Sequence, residues 1–162
     1  MDAVPRVLFV CTGNICRSPL AEAVLRHRAA ALGLAVEADS AGTSDEEAGR
    51  PPDPRARRVA ERRGIVLPDR RARQVVRADF TGFHLILSMT RAHQLVLERI
   101  APADATAELR LFMEYAPDRR MIDVPDPWYG GMADFERALD MIEAGVDGLV
   151  AALRDLKNAP RR

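Results

Sequence analysis

The sequence is short of residues that bind transition metals, form crosslinks or span membranes. Its 162 residues include two cysteines and three histidines, and Cys11 and Cys16 have no histidine near them, which disfavours a zinc site. No apolar run approaches the ~18 residues of a membrane span, and the N-terminus lacks the basic and apolar regions of a signal peptide. We therefore expect a cytoplasmic protein that needs no metal or other cofactor and does not associate with membranes.

The balance of charges also excludes some partners. Lysine and arginine together number 24, as do aspartate and glutamate, so the formal net charge is zero and no overall attraction to nucleic acid is expected. A chain of this length buries about 68–70% of its unfolded surface as one domain. We expect that domain over residues 1–157, followed by a tail at 158–162 that frays.

The sequence does contain a regular alternation of strand and helix patterns. Apolar runs predict strands over residues 6–10, 35–40, 83–89 and 109–112. Apolar residues at helical spacing predict helices over residues 19–32, 53–64, 91–100 and 132–157. Residues 65–78 are expected to form a turn and a short helix. This alternation is typical of a three-layer α/β fold, in which a four-stranded parallel sheet has helices on both faces.

An eight-residue segment joins the first predicted strand to the first predicted helix, and it reads Cys11-Thr12-Gly13-Asn14-Ile15-Cys16-Arg17-Ser18. Pro19 suits the first turn of that helix, because its missing N–H would have no partner there. A loop that enters a helix presents several backbone N–H groups to one side, and the helix dipole adds positive potential. The segment therefore predicts a loop that binds an anion such as phosphate.

The residue types in this loop suit attack by sulfur on a bound phosphate. Near a helix N-terminus and Arg17, Cys11 is expected to be largely thiolate at neutral pH, and Ser18 is placed to donate a hydrogen bond to it. Arg17 offers a planar fork that matches two phosphate oxygens. Gly13 lets the backbone turn tightly, and Asn14 tolerates a left-handed conformation. Taken alone, Cys11 also fits a buried structural cysteine.

A second segment, residues 123–131, is a loop by composition. It places Asp126 between two prolines, and two aromatic residues and two glycines follow. Cleavage of a phosphate ester of a phenol needs an acid for the leaving oxygen, and Asp126 stands on a turn that Pro127 stiffens. Trp128 and Tyr129 would form walls for a flat ring. The alternative interpretation is an ordinary turn before the last helix.

With these two segments the chain resembles the low-molecular-weight protein tyrosine phosphatases. The resemblance covers nearly the whole chain and rests on segments that follow the family's order, namely Cys11 to Ser18, Ser40 to Thr43, Pro52 to Arg55, Ala72 to Gln74, and Asp126 to Gly130. It implies a metal-independent phosphotyrosine phosphatase. In that enzyme Cys11 would be the nucleophile, Arg17 would bind phosphate and Asp126 would be the general acid.

The resemblance also implies the remaining site residues and the partners. Besides Cys11 and Arg17, the phosphate-binding loop would comprise Thr12, Gly13, Asn14, Ile15, Cys16 and Ser18. Asn14, Ser18 and Ser40 would form the hydrogen-bond network that fixes this loop. The substrate cleft would be bordered by Glu46, Trp128 and Tyr129. The substrate would be a phosphorylated protein, with a tyrosine kinase among the candidates, and inorganic phosphate would be the product.

Four positions depart from the family's usual pattern. Glu46 stands where many members carry tryptophan on the loop beside the substrate, and Arg70 replaces a histidine that commonly joins the network under the phosphate loop. Thr90 and His93 replace an aspartate and an asparagine. An acid that faces the cleft at position 46 would disfavour acidic phosphopeptides, whereas a solvated loop residue would not. We expect His93 to be structural.

Cys16 has two interpretations. It either packs behind the loop or lies close enough to capture an oxidised Cys11 in a disulfide, which would protect the nucleophile from irreversible oxidation. The second interpretation rests on the short spacing and on the family's second cysteine at this position.

An arginine-rich segment over residues 55–77 also has two interpretations. It is either a solvated helix face with its adjoining loop or a docking patch for an acidic partner. Aromatic residues do not alternate with these arginines, so the pattern does not predict binding of single-stranded nucleic acid.

Protein arginine phosphatases, which share the fold, are the main alternative. The stretch Met89-Thr90-Arg91-Ala92-His93 looks like theirs. They characteristically carry threonine at the loop position that Ile15 occupies here, and the aromatic pair Trp128-Tyr129 favours a phenolic substrate.

Three further functions are weighed against the phosphotyrosine phosphatase. A thioredoxin-linked arsenate reductase needs more cysteines near Ser88, and this chain has only Cys11 and Cys16. A non-catalytic module that binds phosphopeptides would be expected to lose Cys11 or Asp126, and both are present. A phosphatase of small acyl or aryl phosphates is left open by the sequence.

Overall fold

The computed structural model describes residues 4–118 and 120–158. Its strands are β1 (Arg6–Cys11), β2 (Glu37–Gly42), β3 (Leu85–Ser88) and β4 (Glu108–Leu111). Its helices are α1 (Arg17–Leu32), α2 (Pro54–Arg62), α3 (Asp79–Gly82), α4 (Arg91–Ile100) and α5 (Met132–Asn158). All neighbouring strands pair in parallel, in the order β2-β1-β3-β4. The predicted α/β fold with a four-stranded parallel sheet is therefore confirmed.

The central strand β1 is buried on both faces of the sheet, because its alternate side chains point in opposite directions. Val7 and Phe9 belong to a core that α1, α2 and α5 cover. Leu8 and Val10 belong to a second core, to which Phe80 of α3 and Leu97 of α4 contribute. The continuous apolar run that predicted this strand therefore reflects burial between two helical layers.

The strand order places a crevice at the carboxyl end of β1. Strands β2 and β3 flank β1 on opposite sides, so the order of the strands reverses next to β1. Ligands of open parallel sheets bind at such a reversal. Residues 12–16 leave β1 at this point and lead directly into α1, which agrees with the predicted location of the anion-binding loop.

The predicted short helix within residues 65–78 is wrong. This segment is extended and bridges β2 through Gln74 and Gly42, and a four-residue helix begins only at Asp79. Its backbone groups find partners in other parts of the chain: Gly42 donates to the carbonyl of Arg73 and accepts from Val75. These tertiary hydrogen bonds satisfy the extended backbone, so a helix is not needed to satisfy it.

Helix α5 packs closely against a 3₁₀ turn at Phe112–Tyr115, which the sequence did not predict. A Cβ atom at Gly148 would lie 1.8 Å from the carbonyl oxygen of Tyr115, so only glycine fits there. The helix ends at Asn158, and residues 159–162 lie outside the described residues, so the fraying of the tail stays a prediction. Within residues 4–118 and 120–158, no helix is long and apolar enough to cross a bilayer.

Most arginines of the 55–77 segment form ion pairs within the chain. The pairs are Arg55 with Asp53, Arg62 with Glu136, Arg63 with Glu136, Asp140 and Glu143, Arg70 with Glu22 and Asp39, Arg73 with Asp39 and Asp79, and Arg77 with Asp104. Because these acids already balance the guanidinium charges, the structure favours the solvated-face interpretation over a docking patch.

Candidate active site

A cleft of about 170 Å³ opens at the carboxyl end of β1, and three chain segments line it. The first is the phosphate loop, residues 11–18, which contributes the predicted nucleophile and Arg17. The second is residues 44–47, called here the rim segment, and the third is residues 126–129. The structure thus brings together the two predicted halves of the site, which are more than 100 residues apart in sequence.

The backbone of the phosphate loop has its carbonyl groups hydrogen-bonded to other segments, whereas several of its N–H groups have no backbone partner. The carbonyl groups of Cys11, Thr12 and Ile15 accept hydrogen bonds from Thr43, Ser44 and Asp53, at 2.8 to 3.1 Å. Within the described residues, the N–H groups of residues 13–17 donate to no backbone carbonyl. With these carbonyls occupied by other partners, the N–H groups at the N-terminus of α1 have no backbone acceptor, which suits an anion at this position; anion binding stays a prediction.

The side-chain amide of Asn14 organises the hydrogen bonds beneath the loop. Asn14 has a left-handed backbone with φ of 59°, as its residue type predicted. Its Oδ1 accepts from the backbone N–H of Arg73 at 3.0 Å, which fixes the orientation of the amide. Its Nδ2 then donates to the hydroxyls of Ser18 and Ser40, both at 2.9 Å. The predicted supporting network is therefore present.

This network determines which way the Ser18 proton points. Because Ser18 Oγ accepts from Asn14, its own proton is available to another acceptor. Cys11 Sγ lies 3.0 Å away, whereas the carbonyl of Ala41 lies at 3.5 Å. The sulfur is the closer acceptor, so the Ser18 hydroxyl is placed to donate to Cys11 Sγ. Cys11 is 2% exposed, which shields this hydrogen bond from water.

A buried carboxylate ends the network on the side away from the cleft. Ser40 donates to Glu22 at 2.9 Å, and Glu22 is only 1% exposed. Burial raises the pKa of Glu22, while the charges of Arg70 and Arg26 and the Ser40 hydrogen bond oppose that rise. Arg70 Nε lies 3.3 Å from the Glu22 carboxylate. The arginine that replaces the family's usual histidine therefore still supports the network, through Glu22.

Close backbone approach explains two glycines of the site. A Cβ atom at Gly42 would lie 2.5 Å from the carbonyl oxygen of Thr12, so only glycine lets β2 lie this close to the phosphate loop. At Gly13 a Cβ atom would meet the side chain of Glu47 at 3.0 Å. Gly13 is not among the glycines with a positive φ, whereas Asn14 has one. Gly13 therefore provides room for the rim segment, whereas Asn14 makes the turn.

Arg17 links the phosphate loop to the Asp126 loop, residues 123–131. It is 5% exposed, and its Nη1 donates to the carbonyl of Val124 at 3.0 Å. Its Nη2 lies 3.7 Å from Asp126 Oδ2. The other carboxylate oxygen of Asp126 accepts from the backbone N–H of Trp128 at 3.1 Å. The predicted acid is thus held by the turn that follows it, and it faces the same cleft as Cys11.

Aromatic and acidic side chains both border the cleft. Trp128 and Tyr129 are 46% and 86% exposed, and their rings meet edge to face with centroids 4.9 Å apart. Glu46 and Glu47 line the cleft from the rim segment. Glu46 therefore faces the cleft, as one of its two interpretations required, and Glu47 adds an acid that the sequence analysis did not identify.

Cys16 is a buried free thiol, and it is among the residues that line the cleft. Its Sγ lies 4.0 Å from Asp53 Oδ2. Burial, and then the negative charge of Asp53, raise the pKa of this thiol well above its usual range, so Cys16 stays protonated at neutral pH. Its capture of an oxidised Cys11 stays a hypothesis. Among residues 4–118 and 120–158, no three His, Cys, Asp or Glu side chains are grouped to hold a metal.

His93 touches the phosphate loop, a contact that the sequence analysis missed. Its Nε2 forms a 2.8 Å hydrogen bond with Thr12 Oγ1, and its Nδ1 lies 3.0 Å from Thr90 Oγ1. Thr90 also caps α4 by accepting from the His93 backbone N–H. Burial, and then the charge of Arg17, lower the pKa of His93 to about 4. A neutral imidazole therefore holds Thr12 at physiological pH.

The fold and this site define a class of protein that carries a buried thiol at the end of a central parallel strand, where a loop leads into the N-terminus of a helix. The family model for low molecular weight phosphotyrosine protein phosphatase matches residues 6–159. The chain belongs to this family.

Named relatives agree with the family. The low molecular weight protein-tyrosine-phosphatase of Streptomyces coelicolor is 46% identical over 155 residues, which cover 93% of this chain and 94% of the relative. The crystal structure of YfkJ from Bacillus subtilis has a TM-score of 0.90 at 36% identity, covering 97% and 99% of the two chains. That of a drosophila arginine phosphatase has a TM-score of 0.88 at 28% identity, covering 96% and 99%.

Replacement of His93 by Asn tests the buried neutral imidazole. The pKa of His93 is about 4 in the folded protein and about 6.5 in an unfolded chain. Between pH 4 and pH 6.5 the unfolded chain binds more protons at this residue than the folded protein does. The contribution of His93 to the free energy of unfolding is therefore complete above pH 6.5 and falls as the pH falls toward 4. From pH 7 to 4, the wild type should lose roughly 2–3 kcal/mol more unfolding free energy than His93→Asn, measured by urea denaturation. Equal losses in the wild type and in His93→Asn would contradict a buried neutral imidazole at this position.

Proposed function

We propose that the protein hydrolyses phosphotyrosine in proteins, with Cys11 as the nucleophile, Arg17 as the phosphate-binding residue and Asp126 as the general acid and base. As a member of its family, it is a protein-tyrosine phosphatase of the low molecular weight type. One observation carries the residue assignments. A buried thiol, a buried guanidinium and a carboxylate from a distant loop line the same cleft.

In the first step the Cys11 thiolate attacks phosphorus in line with the ester oxygen. A sulfur–phosphorus bond forms while the bond from phosphorus to the tyrosine oxygen breaks. Asp126, in its protonated form, gives its proton to the departing oxygen, so a neutral phenol leaves and Asp126 becomes a carboxylate. The loop N–H groups and Arg17 stabilise the charge on the three remaining oxygens.

In the second step water attacks phosphorus and gives a proton to the Asp126 carboxylate. The sulfur–phosphorus bond breaks, its electron pair returns to Cys11, and inorganic phosphate is released. Ser18 supports this return, because its hydroxyl donates to the sulfur at 3.0 Å. Both steps use the same N–H groups of the phosphate loop and the same Arg17. Asp126 ends the cycle protonated, as it began.

Replacement of Cys11 by Ser tests the nucleophile. A serine hydroxyl at this position lacks the ionised sulfur, so turnover of phosphotyrosine peptides should fall below detection. Binding of inorganic phosphate should persist, because Arg17 and the loop N–H groups are retained. Steady-state kinetics and calorimetric titration with phosphate measure the two effects. Residual turnover near the wild-type rate would refute the assignment.

Replacement of Asp126 by Asn tests the proton donor. The substitution keeps the shape of the side chain and its acceptor for Trp128 but removes the transferable proton. We expect kcat/KM for phenyl phosphate to fall by about 10²–10⁴-fold. The loss for p-nitrophenyl phosphate should be much smaller, because its phenolate leaves without protonation. Equal losses for both substrates would argue against a general acid at Asp126.

Phosphoarginine is the second candidate substrate. The similarity to a solved arginine phosphatase covers 96% of this chain, and acids at Glu46 and Glu47 suit a guanidinium group. Against it, the exposed rings of Trp128 and Tyr129 provide the flat walls that suit a phenol ring.

Matched peptides that carry phosphotyrosine or phosphoarginine in one sequence decide between the two. We expect a higher kcat/KM for phosphotyrosine, measured as phosphate release by wild type, with the Cys11→Ser variant as the blank. A preference for phosphoarginine would replace the proposed substrate and leave the thiol chemistry in place.

A second pair of phosphotyrosine peptides, with Asp or Arg beside the phosphotyrosine, tests the rim segment. The Asp peptide should be the poorer substrate, because Glu46 repels it.

The kinase that supplies the substrate belongs to this proposal as well. Phosphotyrosine in proteins arises by transfer of a phosphoryl group to a tyrosine hydroxyl, so a tyrosine kinase must act before this enzyme. We propose such a kinase, itself phosphorylated on tyrosine, as one candidate protein substrate.

A further inference from the structure

The loop that carries Asp126 is held at two carbonyl oxygens, and arginine side chains hold both. Arg17 donates to Val124 at 3.0 Å on one side of Asp126. On the other side, Arg55 Nη1 donates to the carbonyl of Gly130 at 3.0 Å. Arg17 lines the cleft, whereas Arg55 does not. Arg55 is therefore an anchor of the Asp126 loop that does not contact the substrate.

The guanidinium of Arg55 is itself fixed in position by two neighbours. Asp53 binds it with both carboxylate oxygens, at 3.1 Å from Nε and 2.9 Å from Nη2. The ring of Phe135 in α5 lies 4.6 Å from the guanidinium carbon, in a cation–π contact. A guanidinium that is bound along one edge and stacked on one face has little freedom to move. Its hydrogen bond to Gly130 therefore fixes the position of the C-terminal end of the Asp126 loop.

Asp53 connects the same arginine to the phosphate loop. Its backbone N–H donates to the carbonyl of Ile15 at 2.8 Å, and its side chain is only 10% exposed. Asp53 also caps α2 by accepting from the backbone N–H of Arg55 at 2.8 Å. A continuous path of short contacts therefore runs from Ile15 through Asp53 and Arg55 to Gly130.

From this path we propose that the Asp53–Arg55 pair is a brace, meaning a contact that sets the position of Asp126 relative to the phosphate loop. Arg55 is a positioning residue, because it acts through Asp126 and touches no reacting atom. The proposal rests on the proposed function, in which Asp126 protonates the leaving oxygen. Proton transfer requires heavy atoms within about 2.6–3.2 Å, so a loosened loop should impair leaving-group protonation more than phosphate binding.

Arg55→Met tests the brace, because methionine keeps an apolar side chain over Phe135 but cannot bind Asp53 or Gly130. Its kcat/KM for phenyl phosphate should fall about tenfold, with a loss below about twofold for p-nitrophenyl phosphate. Arg58→Met is the matched control. Arg58 lies on the same helix, is exposed, and forms no ion pair within residues 4–118 and 120–158. It should match the wild type with both substrates.

A double variant separates positioning from general loss of structure. If Arg55 acts through Asp126, Arg55→Met should cause no further loss with phenyl phosphate once Asp126 is Asn. Losses that multiply in the double variant, or equal losses on both substrates in Arg55→Met alone, would overturn the brace. Arg55→Lys, which keeps one donor for Gly130, should recover part of the activity and provides the same comparison if Arg55→Met does not fold.

Trp128 gives a readout that does not depend on catalysis. It is the only tryptophan in the chain and lies two residues from Asp126, so its fluorescence reports on this loop. Acrylamide quenching of Trp128 should increase in Arg55→Met and stay at the wild-type level in Arg58→Met. Unchanged quenching in Arg55→Met would overturn the brace. If Asp126→Asn alone shows no leaving-group effect, the proposed function fails, whereas the quenching result still tests the brace.

Discussion

The side-chain amide of Asn14 is the contact on which the phosphate loop depends. It uses both of its N–H donors and its oxygen at once, with two donated hydrogen bonds and one accepted bond beneath the loop. Few residue types tolerate the left-handed backbone at this position, and asparagine is one of them. Because the amide is buried, loss of any partner would leave a polar group unsatisfied at substantial cost. The loop, β2 and the extended segment at Arg73 are therefore held as one unit.

Helix α1 carries two buried charges that have different surroundings. Glu22 meets two arginines and a serine hydroxyl, so its charge is balanced within the fold. Arg17 has one hydrogen bond to a carbonyl, and the Asp126 carboxylate lies at 3.7 Å. Burial of a guanidinium with few hydrogen-bond acceptors costs folding free energy. A phosphate dianion bound at the phosphate loop would supply the acceptors that Arg17 lacks. The fold thus leaves one charge incompletely paired where the ligand is expected to bind.

The sequence predicted the elements whose signals are local. Strand β1 and helix α5 follow from apolar periodicity, and the left-handed turn at Asn14 follows from residue type. The sequence predicts a turn and a short helix over residues 65–78, and the structure differs because the partners of this segment, such as Gly42, are distant in sequence. The same limitation explains His93, since nothing near it in the chain indicates Thr12. Propensity describes only a residue's neighbours in sequence, and tertiary hydrogen bonds override it.

The sequence by itself determined which residue types stand together in the two loops, because each loop is contiguous, and those residue types are the basis of the proposed reaction. Thiol, arginine and hydroxyl stand within eight residues, and the acid stands between two prolines. Only the tertiary structure decided how these parts meet: how Arg73 orients the Asn14 amide, which acids face the cleft, and how Arg55 joins the loops. Those contacts connect residues that are tens of positions apart, so their distances depend on how the helices pack on the sheet.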